Sequence, residues 1–135
     1  MKYLVDVNVL SEATRPAPSP KVIGWLSQNE ADLTIDAVIL GEIRLGILLL
    51  PNGKRRNALE GWFETGITHL SCLPWDAAIA NQWAFLLAKL RKKGKSMPLK
   101  DSMIAATAMH HGLTIATRNV SDFESTKLPI INPFL

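Results

Sequence analysis

Cysteine is nearly absent: Cys72 is the single one in 135 residues, so the chain can form neither an internal disulfide nor a cysteine-based zinc site. That fits a reducing cytoplasm. Long apolar runs are missing as well. The most hydrophobic stretch, residues 37–50, is interrupted by Glu42 and Arg44 and is too short to span a bilayer. The apolar segment over 3–10 contains Asp6 and is followed by no small-residue cleavage pattern, which argues against a signal peptide. No membrane role follows. There is no internal repeat, low-complexity tract or linker, and the densest proline cluster, Pro16, Pro18 and Pro20, reads as a connection between elements. Histidine is scarce too. His110 and His111 are helix neighbours that point about 100° apart, and His69 stands alone, so a metal-independent histidine nuclease finds no support.

What is present describes a compact α/β protein. Hydrophobic residues make up 47% and charged residues 20% of the chain, the balance of a packed domain rather than a disordered segment. Its length suits one domain over 1–135. The net charge of +3 and a pI near 9.2 favour encounter with a polyanion. The basic charge is clustered, with Lys89, Arg91, Lys92, Lys93, Lys95 and Lys100 in one stretch, whereas the acids are dispersed. Two readings of that run stand side by side: complement to a helix C-terminus, or a track for an RNA backbone through Lys92, Lys93, Lys95 and Lys100 with Arg44. Trp25, Trp62, Trp75 and Trp83 read as core or dimer-interface residues rather than base-stacking platforms.

Strands and helices alternate. The pattern predicts strands over 2–6, 33–35, 68–73, 113–117 and 129–131. Helices are expected over 8–13, from Ser19-Pro20 onward, over 37–50 capped by Asp36, over 55–65, from Asp76 to Lys93, and from Pro98 to Gly112, with a turn or short helix over 121–124. This order argues a mainly parallel central sheet covered on both faces. In such sheets sites gather at the carboxyl ends of strands, where Asp6 and residues 117–122 fall.

Four carboxylates carry the chemistry. Glu42 lies on the apolar side of its helix, as does Asp101, with Ile104, Ala105 and Ala108 on the same face. Each has a structural alternative: an ion pair for Glu42, a cap or dipole partner for Asp101, a helix cap for Asp6, a turn residue for Asp122. Taken together, two acids at strand ends and two on apolar helix faces suggest an anionic pocket that repels itself without a cation. Mg²⁺ or Mn²⁺ suits carboxylate oxygens, and a water on such an ion is a nucleophile for phosphodiesters.

Four segments, Leu4-Val5-Asp6-Val7-Asn8-Val9-Leu10-Ser11-Glu12, Leu40-Gly41-Glu42-Ile43-Arg44-Leu45-Gly46-Ile47, Asp101-Ser102-Met103-Ile104-Ala105-Ala106-Thr107-Ala108 and Ala116-Thr117-Arg118-Asn119-Val120-Ser121-Asp122-Phe123, resemble in order and spacing the PIN-domain toxins of the VapC and FitB-like kind. The resemblance spans almost the whole chain. It implies a PIN-like three-layer α/β/α fold with a mainly parallel sheet, and Mg²⁺- or Mn²⁺-dependent cleavage of RNA. Asp6, Glu42 and Asp101 correspond to the core metal-binding acids and Asp122 to a more variable fourth, with Asn8, Thr117 and Asn119 supporting the pocket. It also implies a homodimer, a small antitoxin partner that places an arginine or blocking segment in the acidic pocket, and assembly with that partner into a heterotetramer or larger. Two departures stand out: Val7 where the family usually has threonine, and Asp36 where a small polar residue is common.

Rival readings make distinct demands. A haloacid-dehalogenase-type phosphatase wants a second aspartate two residues after the first, where this chain has Asn8. A phosphoacceptor receiver wants paired acids at the first strand's end, but Val5 precedes Asp6. A catalytically weak or inactive PIN-fold module that binds RNA or protein keeps the fold and drops the chemistry.

Overall fold

The computed structural model describes all 135 residues. Five short strands, β1 (Tyr3–Val5), β2 (Leu33–Asp36), β3 (Ser71–Leu73), β4 (Thr114–Ala116) and β5 (Ile130–Ile131), form one sheet in the order β3-β2-β1-β4-β5, and every pairing is parallel. Parallel neighbours need crossover connections. The helices α1 (Val7–Leu10), α2 (Pro20–Gln28), α3 (Ala37–Leu48), α4 (Lys54–Thr65), α5 (Ala77–Lys92), α6 (Leu99–His111) and α7 (Val120–Phe123) supply them. Successive side chains on a strand point to opposite faces, yet Leu4 and Val5 are both fully buried, as are Thr34 and Ile35. The sheet is therefore covered on both sides, the three-layer arrangement expected from the sequence.

Local chemistry sets the helix ends. Ser19, Asp36 and Asp76 each accept a hydrogen bond from the backbone N–H three residues on, at Val22 (3.4 Å), Ile39 (2.9 Å) and Ile79 (3.0 Å). Helix α5 ends in a Schellman turn, in which Lys95 N–H donates to the Leu90 carbonyl and Gly94 N–H to that of Arg91. Gly94 takes φ +69°, and Gly112 closes α6 at φ +65°, where a side chain would be strained. In α6 the run Ile104-Ala105-Ala106-Thr107-Ala108 is buried throughout, so small residues let this helix pack closely on its neighbours. The largest fully buried side chains include Phe123, Leu4, Ile35, Ile39, Ile104 and Ile115.

One expected strand is shorter than the alternation suggested. Residues 67–69 form a 3₁₀ turn, in which His69 N–H donates to the Gly66 carbonyl and Thr68 Oγ1 to that of Glu64, and β3 begins only at Ser71. As an edge strand it pairs with β2 alone. The chain begins at the middle of the sheet with β1, adds β2 and β3 on one side, then crosses to add β4 and β5 on the other. The direction of travel reverses between β1 and β4, and a crevice opens beyond the carboxyl ends of strands at such a point.

Candidate active site

Asp6 immediately follows β1, and Thr117 immediately follows β4. The backbone N–H of Asp6 donates to the Ala116 carbonyl at 2.9 Å, extending the strand pairing to the carboxylate itself. Its Oδ1 accepts from Val7 N–H (2.8 Å), and its Oδ2 accepts from Thr117 Oγ1 (2.7 Å) and Asn8 Nδ2 (3.3 Å). Thr117 Oγ1 in turn accepts from the backbone N–H of Asn119 at 3.1 Å, while Asn8 Oδ1 accepts from Arg118 N–H at 3.0 Å. Asn8, Thr117 and Asn119 thus form one lattice that fixes Asp6 and ties the β1 and β4 loops together. Asn119 takes part through its main chain. Burial pushes the Asp6 carboxyl above its ordinary value; the bonds from Thr117, Val7 and Asn8 oppose that rise, and Glu42 adds to it.

Asp101 lies in the first turn of α6, but that helix has no side-chain cap, so the capping role does not account for this acid. Its pKa is raised to about 6, first by burial, then by the charges of Asp6, Asp122 and Glu42 and by a hydrogen bond shared with Asp122. The other three acids named from the sequence therefore all lie within electrostatic reach of Asp101. Glu42, in the second turn of α3, is three-quarters buried and forms an ion pair with Lys100, whose Nζ stands 2.5 Å from its Oε1. Asp122 comes from α7.

The donor set consists of hard carboxylate oxygens held in mutual repulsion, the chemistry that suits Mg²⁺ or Mn²⁺. As the side chains stand, no three acids are arranged to hold an ion together. The reason is visible in their partners: Lys100 engages Glu42, Asp101 and Asp122 bond to each other, and Asp6 accepts from three donors. The residues fit a divalent cation in charge and hardness, and Lys100 holds one oxygen of Glu42, Oε1.

Other residues take places that were only partly legible in the sequence. Asp36 is fully buried; it caps α3, and its Oδ2 accepts from Thr107 Oγ1 at 2.6 Å. Burial raises its pKa as well, with Asp6 the weakest contributor, so its charge lies behind the pocket and is used internally. Glu12 is buried and accepts from Ser19 N–H at 2.7 Å, which holds the proline-rich connection. Val7 and Glu42 line a neighbouring cleft of about 480 Å³ together with Arg15 and Arg55. Arg44 is engaged by Glu60 at 2.6 Å and lies over the Phe63 ring. Lys92, Lys93 and Lys95 are exposed. The indole N–H groups of Trp75 and Trp83 donate to the Met103 carbonyl and Ser102 Oγ, and Trp25 packs edge-on against Tyr3, which matches their reading as packing residues. His110 and His111 occupy the far end of α6 from Asp101, about 14 Å along the axis.

Comparison with known proteins places this geometry. Residues 3–127 match the PIN domain. Toxin FitB of Neisseria gonorrhoeae is 38% identical over 135 residues, covering 97% of each chain. VapC ribonuclease Y4jK of Sinorhizobium fredii is 37% identical over 136 residues, covering 97% of this chain and 96% of its own. A solved structure of FitAB bound to an IR36 DNA fragment superposes with a TM-score of 0.91 at 36% identity, covering 98% of this chain and 96% of that one.

Proposed function

The chain belongs to the PIN domain family, and from that premise we propose that it is a metal-dependent endoribonuclease, the toxin half of a type II toxin–antitoxin pair. The observation that carries this reading is the gathering of Asp6, Glu42, Asp101 and Asp122 at the switch point of the sheet, where burial first and then the charges of the other three raise the Asp101 pKa to about 6. Relatives named as a VapC ribonuclease and a FitB toxin support the same activity.

These four carboxylates would hold Mg²⁺ or Mn²⁺, which when bound supplies an acidified, oriented water and offsets charge on the scissile phosphodiester. Hydrolysis forms one P–O bond to the water oxygen and breaks one P–O ester bond, the departing ribose oxygen taking up a proton. Asp6 is the fixed point of the centre, because three donors determine its orientation before any ligand arrives. Glu42 is the adjustable member, since its present partner is the mostly exposed side chain of Lys100. His110 and His111 lie at the opposite end of α6 from Asp101, and in this reading the acids carry the reaction. The exposed free thiol of Cys72 suits the cytoplasm, and no helix is long and apolar enough to cross a membrane. The partners in this reading are an RNA substrate, a second copy of the chain, and a small antitoxin whose arginine occupies the acidic pocket.

The test is incubation of purified protein with a pool of structured RNAs. Cleavage should stop with chelator and return with Mn²⁺ or Mg²⁺. Asp6→Asn should abolish it, by more than the roughly 10- to 100-fold that loss of an outer-shell partner costs, without lowering the melting temperature in chelator. Cleavage indifferent to chelator would overturn the metal-dependent reading, and an inert wild type would leave the PIN-fold binding module as the better account.

A further inference from the structure

On the outer side of α5 a cleft of about 430 Å³ lies against the turn that follows α7. Lys89 and Lys93 enter it from successive turns of α5 and Lys127 from the turn, with Phe85 and Met109 supplying apolar surface and Ser125 a hydroxyl. No acid lines it, and none of its lysines takes part in an ion pair. The crowding is reflected at Lys93, whose pKa is lowered first by Lys89 and then by Lys127. Complementing the α5 dipole explains Lys89 but not Lys127, which arrives from another element and holds a left-handed backbone at φ 60°. Phe85 is 69% exposed, a large ring left in water beside a cluster of ammonium groups.

Cations that follow a groove beside an exposed aromatic ring form the combination that holds single-stranded nucleic acid, the lysines on phosphates and the ring on a base. The cleft also neighbours one end of the carboxylate cluster: Ser125 lines both it and an adjacent cleft of about 440 Å³, whose wall includes Lys95, Asp122 and one further acid, Glu124. A strand leaving the carboxylates at Asp122 would pass Lys95 and reach Lys93, Lys127 and Lys89.

We propose that the cleft formed by Phe85, Lys89, Lys93 and Lys127 is a second RNA-binding site, which grips the single-stranded backbone flanking the scissile bond while Phe85 stacks on a base. The inference rests on the ribonuclease reading for the identity of the strand and adds to it a docking site outside the carboxylate centre. Lys21, an exposed lysine at the start of α2 that does not line the cleft, serves as an internal control.

The test measures binding of a fluorescein-labelled 20-nucleotide mixed-sequence RNA to the full chain in chelator, where cleavage is suppressed, across a salt series. The variants are Lys89→Gln/Lys93→Gln/Lys127→Gln, Phe85→Ala and Lys21→Gln, each checked by circular dichroism. The triple variant should lower affinity at least tenfold and reduce the slope of log affinity against log salt by about 2, because each single-strand phosphate contact contributes about 0.7. Phe85→Ala should lower affinity about fivefold or more while leaving the slope unchanged. Lys21→Gln should do neither. With Mn²⁺, the triple variant should raise KM for long RNA and leave kcat within about twofold. A triple variant that keeps wild-type affinity and slope overturns the proposal even if RNA is cleaved. So does a wild type that binds no RNA, and so does a variant that keeps RNA affinity but loses an acidic protein partner, which would assign the cleft to protein. Wild type that binds as described yet never cleaves upholds the cleft and sinks the ribonuclease reading instead.

Discussion

In the metal-free protein the proton on Asp101 dissociates near pH 6, against an ordinary value of 3.8, because burial and three neighbouring acids disfavour the charged form. A carboxyl whose folded pKa lies above its unfolded pKa makes stability fall as pH rises between the two. Below about pH 4 both states hold the proton and nothing is lost; above about pH 6 both have released it and the folded state bears the repulsion. Asp6 and Asp36 shift in the same direction. We therefore expect Asp101→Asn to raise the melting temperature in chelator by a few degrees at pH 7.5, about 1 kcal/mol. The gain is moderated by the partial solvent access of the site. The amide can still donate to Asp122 without bearing charge. The gain should vanish at pH 4, and melting curves of wild type and variant across pH 4–8 check it. A variant less stable than wild type at pH 7.5 would mean that Asp101 is a structural residue.

Among the elements, α3 and α6 contribute most to the centre, since one carries Glu42 and the other places Lys100 and Asp101 side by side. Their packing makes Lys100 a resident counter-cation for Glu42. A divalent ion competes with it for the Glu42 charge, so Lys100→Met should tighten Mn²⁺ binding about two- to fivefold by titration calorimetry, the range expected for losing a largely exposed ion pair. Unchanged or weaker Mn²⁺ binding would show that Lys100 does not compete. This contact also marks where the sequence ceases to be readable. The caps at Ser19, Asp36 and Asp76 follow from short-range rules, and so do the glycine stops at Gly94 and Gly112, because each depends on atoms a few residues apart. The four acids could be picked out by their position on strand ends and apolar faces. That Lys100 pairs with Glu42 and Thr107 with Asp36 depends instead on how distant helices dock. No periodicity encodes that. The 3₁₀ turn over 67–69 escaped for a related reason: Thr68 and His69 have the composition of a strand, but the backbone N–H of His69 that a strand would pair donates to Gly66, and the Thr68 hydroxyl bonds back to Glu64.

At the scale of the whole molecule, charge is segregated: the acids converge at the switch point, while unpaired lysines line the cleft beyond Asp122. Each region is costly by itself and calls for a partner of opposite sign. In the proposed reading RNA answers the lysines, and a divalent ion or a guanidinium answers the acids. A guanidinium has a planar fork that matches carboxylates and loses little on binding them, so an antitoxin arginine and Mn²⁺ should exclude one another. Two ligands competing for one site weaken each other reciprocally. The antitoxin recovered with the tagged chain from its native host should therefore bind at least about tenfold more weakly in saturating Mn²⁺ than in chelator. Arginine amide should inhibit RNA cleavage, and added Mn²⁺ should relieve the inhibition. The Asp101→Asn chain, with one acid fewer, should hold the antitoxin less tightly in chelator. Partner affinity that is identical with and without Mn²⁺, measured by fluorescence anisotropy on the reconstituted pair, would place the antitoxin elsewhere on the surface and leave the acids to the metal alone.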